Sequence, residues 1–361
     1  MSVFRTLYRG EHEIDFPAAW RKALVLSLVL VAVSIGSLFV RGLNLGIEFE
    51  GGTSWEVVAP DASVADTREA LAGTGAADGK IQTVGSDTIR VRSDIEDPDA
   101  IAEVTDALAD MAGTDASDVS VTTVGPSWGD EITEKARNAL IWFFLLVAAY
   151  IAIRLEWKMA IGAVVAVVHD ILISVGVYSV FQFEVTPATV IAFLTIMGYS
   201  LYDTIVVFDK THEITGRLSG TGRYTYTEMM NLSLNQVLMR SVNTSITSVL
   251  PVLSMLIIGS FVLGALTLQE FAIALLVGIV VGTYSSLFVA SAAVAWMKER
   301  EPEHVAVAAK LAARGVEGDT TRRVTAEDAA LGTVSPASPR PTADAPRSGA
   351  PPRPRKKKKK R

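Results

Sequence analysis

The sequence predicts an α-helical membrane protein, a bundle of six transmembrane helices with one α+β domain inserted between the first and the second. Three observations lead there. Half of the residues are hydrophobic, and they stand in blocks rather than scattered along the chain. Each block is roughly twenty residues long, enough for a helix to cross a bilayer core of about 30 Å. Between the first two blocks lies a long stretch rich in Asp, Gly and Thr. Finally, Lys and Arg fall in alternate short connections, the bias that orients membrane spans.

Composition narrows the chemistry. The chain has no cysteine, which removes disulfides, thiol catalysis and thiolate metal sites. Its four histidines show no His-x-x-x-His spacing, so neither a metal nor a cofactor is expected. There is no G-x-x-x-x-G-K-[ST] loop, so the chain does not read as an ATPase, and no catalytic residue is assigned.

Residues 1–22 carry Arg5, Arg9, Arg21 and Lys22 and read as a cytoplasmic N-terminus. The first span is expected at 23–40; it is longer than a signal-peptide core and no small-x-small cleavage site follows. Residues 41–133 are acidic with few bases, the composition of a translocated segment. Within them 54–58 reads as a strand, and 66–72 as an amphipathic helix with Ser63 as N-cap. Residues 81–84 and 88–91 read as a hairpin across Gly85-Ser86-Asp87. Residues 98–111 read as a helix and 119–124 as a strand. The order β-α-β-β-α-β is the ferredoxin-like arrangement.

The remaining spans are expected at 134–153, 159–181, 187–208, 240–262 and 268–297, with 209–239 as a cytoplasmic loop and Pro251 as a kink. Connections 154–158 and 209–239 hold bases, whereas 182–186 and 264–270 hold none. Both termini are therefore expected in the cytoplasm of a multi-pass plasma-membrane protein. Residues 298–361, rich in Ala, Pro and Ser and ending in RPRKKKKKR, read as a disordered basic tail. Its end suits anionic lipid, at about 1 kcal/mol per base near the surface. No specific nucleic-acid target is read from it.

Charge inside the spans points to function. Asp203 falls within the fourth block, and a carboxylate at the centre of a span costs about 2.5–3.5 kcal/mol. Arg240 opens the fifth block, followed by the hydroxyls of Thr244 and Ser245. An Asp on one span facing an Arg and hydroxyls on the next makes a proton-handling pair. His169-Asp170, deep in the third block, is a second polar pair, either structural or a further proton station. Asp209 lies six residues after Asp203, about 120° round a helix, and suits an interface or a cap.

Four short motifs occur in register with these spans. They are Phe49-x-Gly51-Gly52, Gly125-Pro126-x-x-Gly129, Gly198-Tyr199-Ser200-x-x-Asp203 and Arg240-x-x-x-Thr244-Ser245. Together they resemble the SecF branch of the SecD/SecF protein-export family, over about residues 1–297. The resemblance implies half of a resistance-nodulation-division fold in the bacterial inner membrane. It implies use of the proton-motive force to complete translocation of secreted chains. The implied partners are SecD, the SecYEG translocon, YajC, an unfolded secretory polypeptide and protons. Asp203 and Arg240 match the family's proton-pathway carboxylate and its partner arginine, and Thr244 the associated hydroxyl. The chain departs from the pattern at Tyr202, where many relatives have Asn, and at Lys210-Thr211-His212-Glu213. A small-molecule exporter of the same superfamily and a membrane-anchored scaffold are the rival readings.

Overall fold

The computed structural model describes residues 14–85, 87–262 and 265–313. Among them, six helices are long and apolar enough to cross a membrane. The first, α1 (Phe16–Arg41), starts seven residues before the span expected at 23–40. Asp15 caps it by accepting from the Ala18 N–H at 3.1 Å, and Pro17 presets the first turn. Residues 16–22 thus belong to the helix, and Phe16 is fully buried. Residues 1–13, with Arg5 and Arg9, lie outside the described residues.

After α1 come a two-residue strand β1 (Asn44–Leu45), a single helical turn α2 (Ile47–Glu50) and strand β2 (Gly52–Val58). Helix α3 (Val64–Ala70) follows, started by a capping box in which Ser63 and Asp66 exchange hydrogen bonds. Strands β3 (Lys80–Val84) and β4 (Thr88–Ser93), helix α4 (Pro98–Ala112) and strand β5 (Ser120–Val124) complete the domain. Ser86, in the expected turn, lies outside the described residues. The sheet order is β3-β4-β2-β5, with every neighbouring pair antiparallel.

Strand period two divides this sheet into unlike faces. Trp55 pairs with Val91 and Val57 with Ile89, and these four are buried with Leu71, Val104 and Leu108 from the helices and the loop after α3. The Trp55 Nε1–H donates to Thr105 Oγ1 at 3.1 Å, which satisfies the indole within the core. The opposite face carries Ser54, Glu56, Gln82, Arg90 and Arg92. Arg90 and Arg92 are nonetheless buried, because that face is covered by the helix bundle.

Helix α5 (Pro126–Arg154) begins at Pro126, eight residues before the expected second span at 134–153. Gly125 is its N-cap and Pro126 its first-turn proline, so the Gly125-Pro126 motif is a helix start. Helix α6 (Trp157–Phe181) leads to strand β6 (Glu184–Val185), which pairs in parallel with β1. Helix α7 (Pro187–Leu218) outruns the span expected at 187–208 by ten residues. Lys210 and Arg217 both pair with Glu213 at helical spacings, at 3.0 and 2.8 Å. Charge ends the apolar block but does not end the helix.

Helix α8 (Tyr226–Ser254) likewise starts fourteen residues before 240, from a capping box of Thr225 and Glu228. The expected loop 209–239 therefore shrinks to 219–225. Pro251 sits inside α8, and a π-helical stretch, Met255–Val262, follows it. The last span is built from α9 (Leu266–Ser285), a π-helical turn Ser286–Ala290 and α10 (Ser291–Lys298). Beyond it α11 (Pro302–Ala313) corrects the expectation of disorder from 298 onward. Its alanine-rich sequence favours helix, Leu311 is buried, and the His304 ring meets Tyr226 at 5.1 Å. Residues 314–361, with the polybasic end, lie outside the described residues.

Gly51 and Gly52 both have positive φ, at 81° and 100°. A Cβ on Gly52 would collide with the Ser93 carbonyl oxygen, so this glycine is required by the β2–β4 pairing itself. The core cluster lies wholly within the domain, so a 43–130 fragment should fold by itself. In it, Gly85→Ala, at φ 68° with open space around it, should cost about 1–2 kcal/mol. Gly52→Ala should cost more, because backbone strain and collision add. Urea titration checks both, and equal costs would show that the collision relaxes.

Candidate functional site

Asp203 lies on α7 between two buried residues, Leu201 and Thr204. Its Oδ1 accepts from Ser241 Oγ of α8 at 2.8 Å. Its Oδ2 is buried and has no hydrogen-bond partner. Arg240 makes no direct ion pair with Asp203 among the described residues. Instead its Nη2 donates to the hydroxyl of Tyr202 at 3.2 Å. Helical geometry explains the exchange. Residues 202 and 203 point about 100° apart on α7, as do 240 and 241 on α8. The helices therefore meet as two parallel pairs, Tyr202 with Arg240 and Asp203 with Ser241.

The same register sorts the hydroxyls. Ser245, one turn after Ser241, bonds Thr283 Oγ1 of α9 at 2.7 Å and ties α8 to the last span. Thr244 shares the exposed face of Arg240 and donates to the Arg240 carbonyl at 2.7 Å. It is not brought to Asp203. Ser241 was missed in the sequence, although its spacing of four from Ser245 places the two on one face.

A second polar network runs through the bundle core. Asp170 is 3% exposed and His169 7%. Ser200 Oγ donates to Asp170 Oδ2 at 2.6 Å, and the other carboxyl oxygen faces His169 Nδ1 at 3.1 Å. His169 Nε2 meets Ser27 Oγ of α1 at 3.1 Å, and Ser27 meets the Tyr284 hydroxyl at 2.9 Å. Four spans thus share one hydrogen-bonded chain. Ser200 is one turn before Thr204, whose Oγ1 contacts Ser286 Oγ at 2.8 Å in the π-helical turn. Such insertions recur at functional positions in helices.

The remaining motif residues sort by what they touch. Ser200 belongs to the network just described. Tyr199 packs beside the apolar cluster of Ile196, Val252, Ala272 and Ile279. Gly198 is exposed, with nothing within 4 Å of an added Cβ. It lies on a stripe of α7 with Ile191, Thr195 and Tyr202, all exposed. A Cβ on Gly129 would stand 2.9 Å from the Phe49 carbonyl oxygen, so the two glycine motifs are the two sides of one contact between α2 and α5. Phe49 itself packs at the cluster of Tyr178, Val185 and Ala192. Asp209 accepts from Arg154 at 3.2 Å with both side chains about half exposed. It borders a cleft of about 380 Å³ that Tyr202 and Arg240 also line.

Residues 103–300 match the family described as protein export membrane protein SecD/SecF, C-terminal, and residues 36–57 match the SecD/SecF GG motif. The chain is 40% identical over 313 residues to a protein named protein translocase subunit SecF from Streptomyces coelicolor, covering 86% of this chain and 84% of that one. It is 38% identical to a protein of the same name from Mycobacterium tuberculosis, covering 83% and 70%. Among solved structures it is similar to SecDF, a translocon-associated membrane protein from Thermus thermophilus, with a TM-score of 0.72 at 34% identity. That likeness covers 81% of this chain and 39% of the solved one, so the chain spans about two fifths of it. A SecDF structure in a super-membrane-facing form gives a TM-score of 0.59 at 32% identity.

Two glycines in the neighbourhood of Asp203 separate internal packing from an outward face. Gly282 of α9 faces Ser200, and an added Cβ would lie 2.7 Å from the Ser200 Cβ. Gly282→Leu should therefore push α9 off α7 and destabilise the chain by about 1–3 kcal/mol. Gly198→Leu should leave the melting temperature of the detergent-solubilised chain unchanged. Thermal unfolding of the two variants checks this, and equal losses would show that Gly198 packs internally.

Proposed function

The chain belongs to the SecF family of protein translocase subunits, and on that premise we propose that it is the proton-coupled subunit of a Sec export complex. It is an accessory component of protein export, associated with the Sec translocon and a SecD subunit. The 52–124 domain, ferredoxin-like in strand order, stands outside the membrane, and both termini stand inside. The exposed stripe of Ile191, Thr195, Gly198 and Tyr202 is the seam on which the SecD helices dock. YajC, anionic lipid at the basic tail and the emerging unfolded polypeptide are its further partners.

One observation carries the mechanism. Asp203 has one oxygen held by Ser241 and one buried oxygen with no partner. A carboxyl with a proton and a carboxylate without one need different surroundings in a span. Ser241 supports Asp203 in the arrangement seen here. Arg240, one residue away on the facing helix, supports the charged form by leaving the Tyr202 hydroxyl and turning to the carboxylate. Arginine suits this exchange, because it stays charged and its planar fork can hold a carboxylate through two donors. Ser245 and Thr244 line the hydrated approach, Ser245 toward α9 and Thr244 on the Arg240 face. His169 and Asp170 pass the change through Ser200 to α1 and the last span, and Asp209 receives the proton at the cytoplasmic cleft. Proton entry from outside and release inside then alternate two arrangements of α7 and α8, and the alternation works the outer domain on the translocating chain.

The decisive test is proton-gradient-stimulated translocation into inverted vesicles holding the chain with its SecD partner. Asp203→Asn keeps size and polarity but cannot exchange a proton, and should abolish the stimulation while the complex still assembles. Full stimulation would make Asp203 structural and end the mechanism. Orientation is checked separately in this cysteine-free chain. Glu103→Cys should label from outside intact cells, and Gly220→Cys only after permeabilisation; the reverse pattern would invert the whole reading.

A further inference from the structure

The polar face of the sheet is joined to the bundle by a cluster of charges that the proton mechanism does not use. Arg90 of β4 donates through Nε to Glu56 of β2 at 2.8 Å. Through Nη1 it reaches Glu184 of β6 at 2.5 Å and Glu270 of α9 at 3.0 Å. Arg92 donates to the other oxygen of Glu184 at 3.0 Å, to the Leu45 carbonyl at 2.7 Å and to Asn44 Oδ1 at 2.8 Å. The side chains of Arg92 and Glu184 are only 5% and 8% exposed. Buried ion clusters rarely stabilise a fold more than apolar packing of the same size. What they supply is a contact fixed in direction.

The two bundle carboxylates have unequal roles. Glu184 holds both arginines and sits on β6, which is tied to β1 by backbone pairing. Removing it would take from Arg92 the carboxylate that neutralises it and from Arg90 one of three. Glu270 holds Arg90 alone, and Arg90 keeps Glu56 and Glu184 when Glu270 withdraws. Burial opposes charge on Arg90, but Glu184, Glu56 and Glu270 together hold it firmly protonated. The Glu270 arm is therefore one that opens without leaving Arg90 unpaired, and the Thr186 side chain remains a hydrogen-bond partner for Glu270 itself. Its helix leads straight to the proton site. Eight residues on, about 12 Å along a helix, an added Cβ on Gly278 would collide with Ile196 of α7. One turn further, Gly282 meets Ser200 just before Asp203, and Thr283 bonds Ser245 of α8.

We propose that Glu270 and Arg90 are positioning residues that carry the state of the Asp203 site to the outer domain, with Glu184 as the fixed pivot and Glu270 as the arm that moves. This rests on the reading of Asp203 as the proton site. A shift of α9 against α7 displaces Glu270 relative to Glu184, and Arg90 transmits the displacement to the centre of the sheet.

The test uses the full chain with its SecD partner in vesicles and the variant Glu270→Gln, which keeps shape and acceptor oxygen but loses the charge. Three quantities are read: recovery of the complex, proton flux by a pH-sensitive dye, and gradient-stimulated translocation of a radiolabelled secretory precursor. Stimulated translocation should fall roughly fivefold or more, while complex recovery and proton flux stay at wild-type level. Unchanged translocation overturns the proposal. So does a parallel fall in flux and translocation, which would mark Glu270 as structural only. Asp203→Asn is run alongside. If it loses stimulation while Glu270→Gln behaves as wild type, the transmission alone fails. If Asp203→Asn keeps full stimulation, the proton reading beneath it fails.

Discussion

Close approach of α7 and α9 is the contact on which the rest of the bundle depends. Gly278 and Gly282 remove two side chains from one face of α9, and Ile196 and Ser200 fill the space. In lipid there is little hydrophobic gain from pressing two apolar helices together, so small residues and interhelical hydrogen bonds decide which helices meet. Here both act at one place. The glycines bring the backbones close, and the hydroxyls of Ser200, Thr204 and Ser286 then find partners within reach. Asp203 and the Asp170 network are held at fixed separation because the same turn of α7 serves both.

Much of this was legible in the sequence because membranes enforce simple rules. Span number followed from apolar block length, and the strands of the inserted domain from period-two alternation. Helix ends were not legible. Asp209, Lys210, Glu213 and Arg217 mark where an apolar block stops, but Lys210, Glu213 and Arg217 are also good helix formers with pairable spacing. Hydropathy reports the solvent around a helix rather than the helix itself. The alanine-rich stretch 302–313 failed for a related reason: its helix is anchored by tertiary contacts of Leu311 and His304, which composition does not show.

The site was legible as a pair of spans and not as a pair of atoms. Asp203 and Arg240 stand out because charge in an apolar block is rare, whereas Ser241 does not stand out among so many hydroxyls. Only the crossing of α7 over α8 decides that position 203 meets 241 and that 202 meets 240. Arg90 and Arg92 were hidden differently. On a strand with one buried face, alternate arginines read as the solvated side, and nothing local announces that a bundle covers it. The carboxylates that hold Arg90 and Arg92 come from positions as distant as 184 and 270.

The pairing of β1 with β6 also bears on how the protein is made. Asn44 is matched to Glu184, 140 residues later in the chain. Ribosomes deliver the N-terminal part first. The 52–124 domain has its own core, so it is complete before the bundle residues that it docks on have been made. Arg90 and Arg92 then face water until the connection between the third and fourth spans arrives with Glu184. Glu270 comes last, with the final span. Assembly thus closes in a set order, and of the two bundle carboxylates the one that arrives last holds one arginine rather than two. A nascent chain stalled before residue 184 would display a folded domain whose two arginines still lack the carboxylates of the bundle.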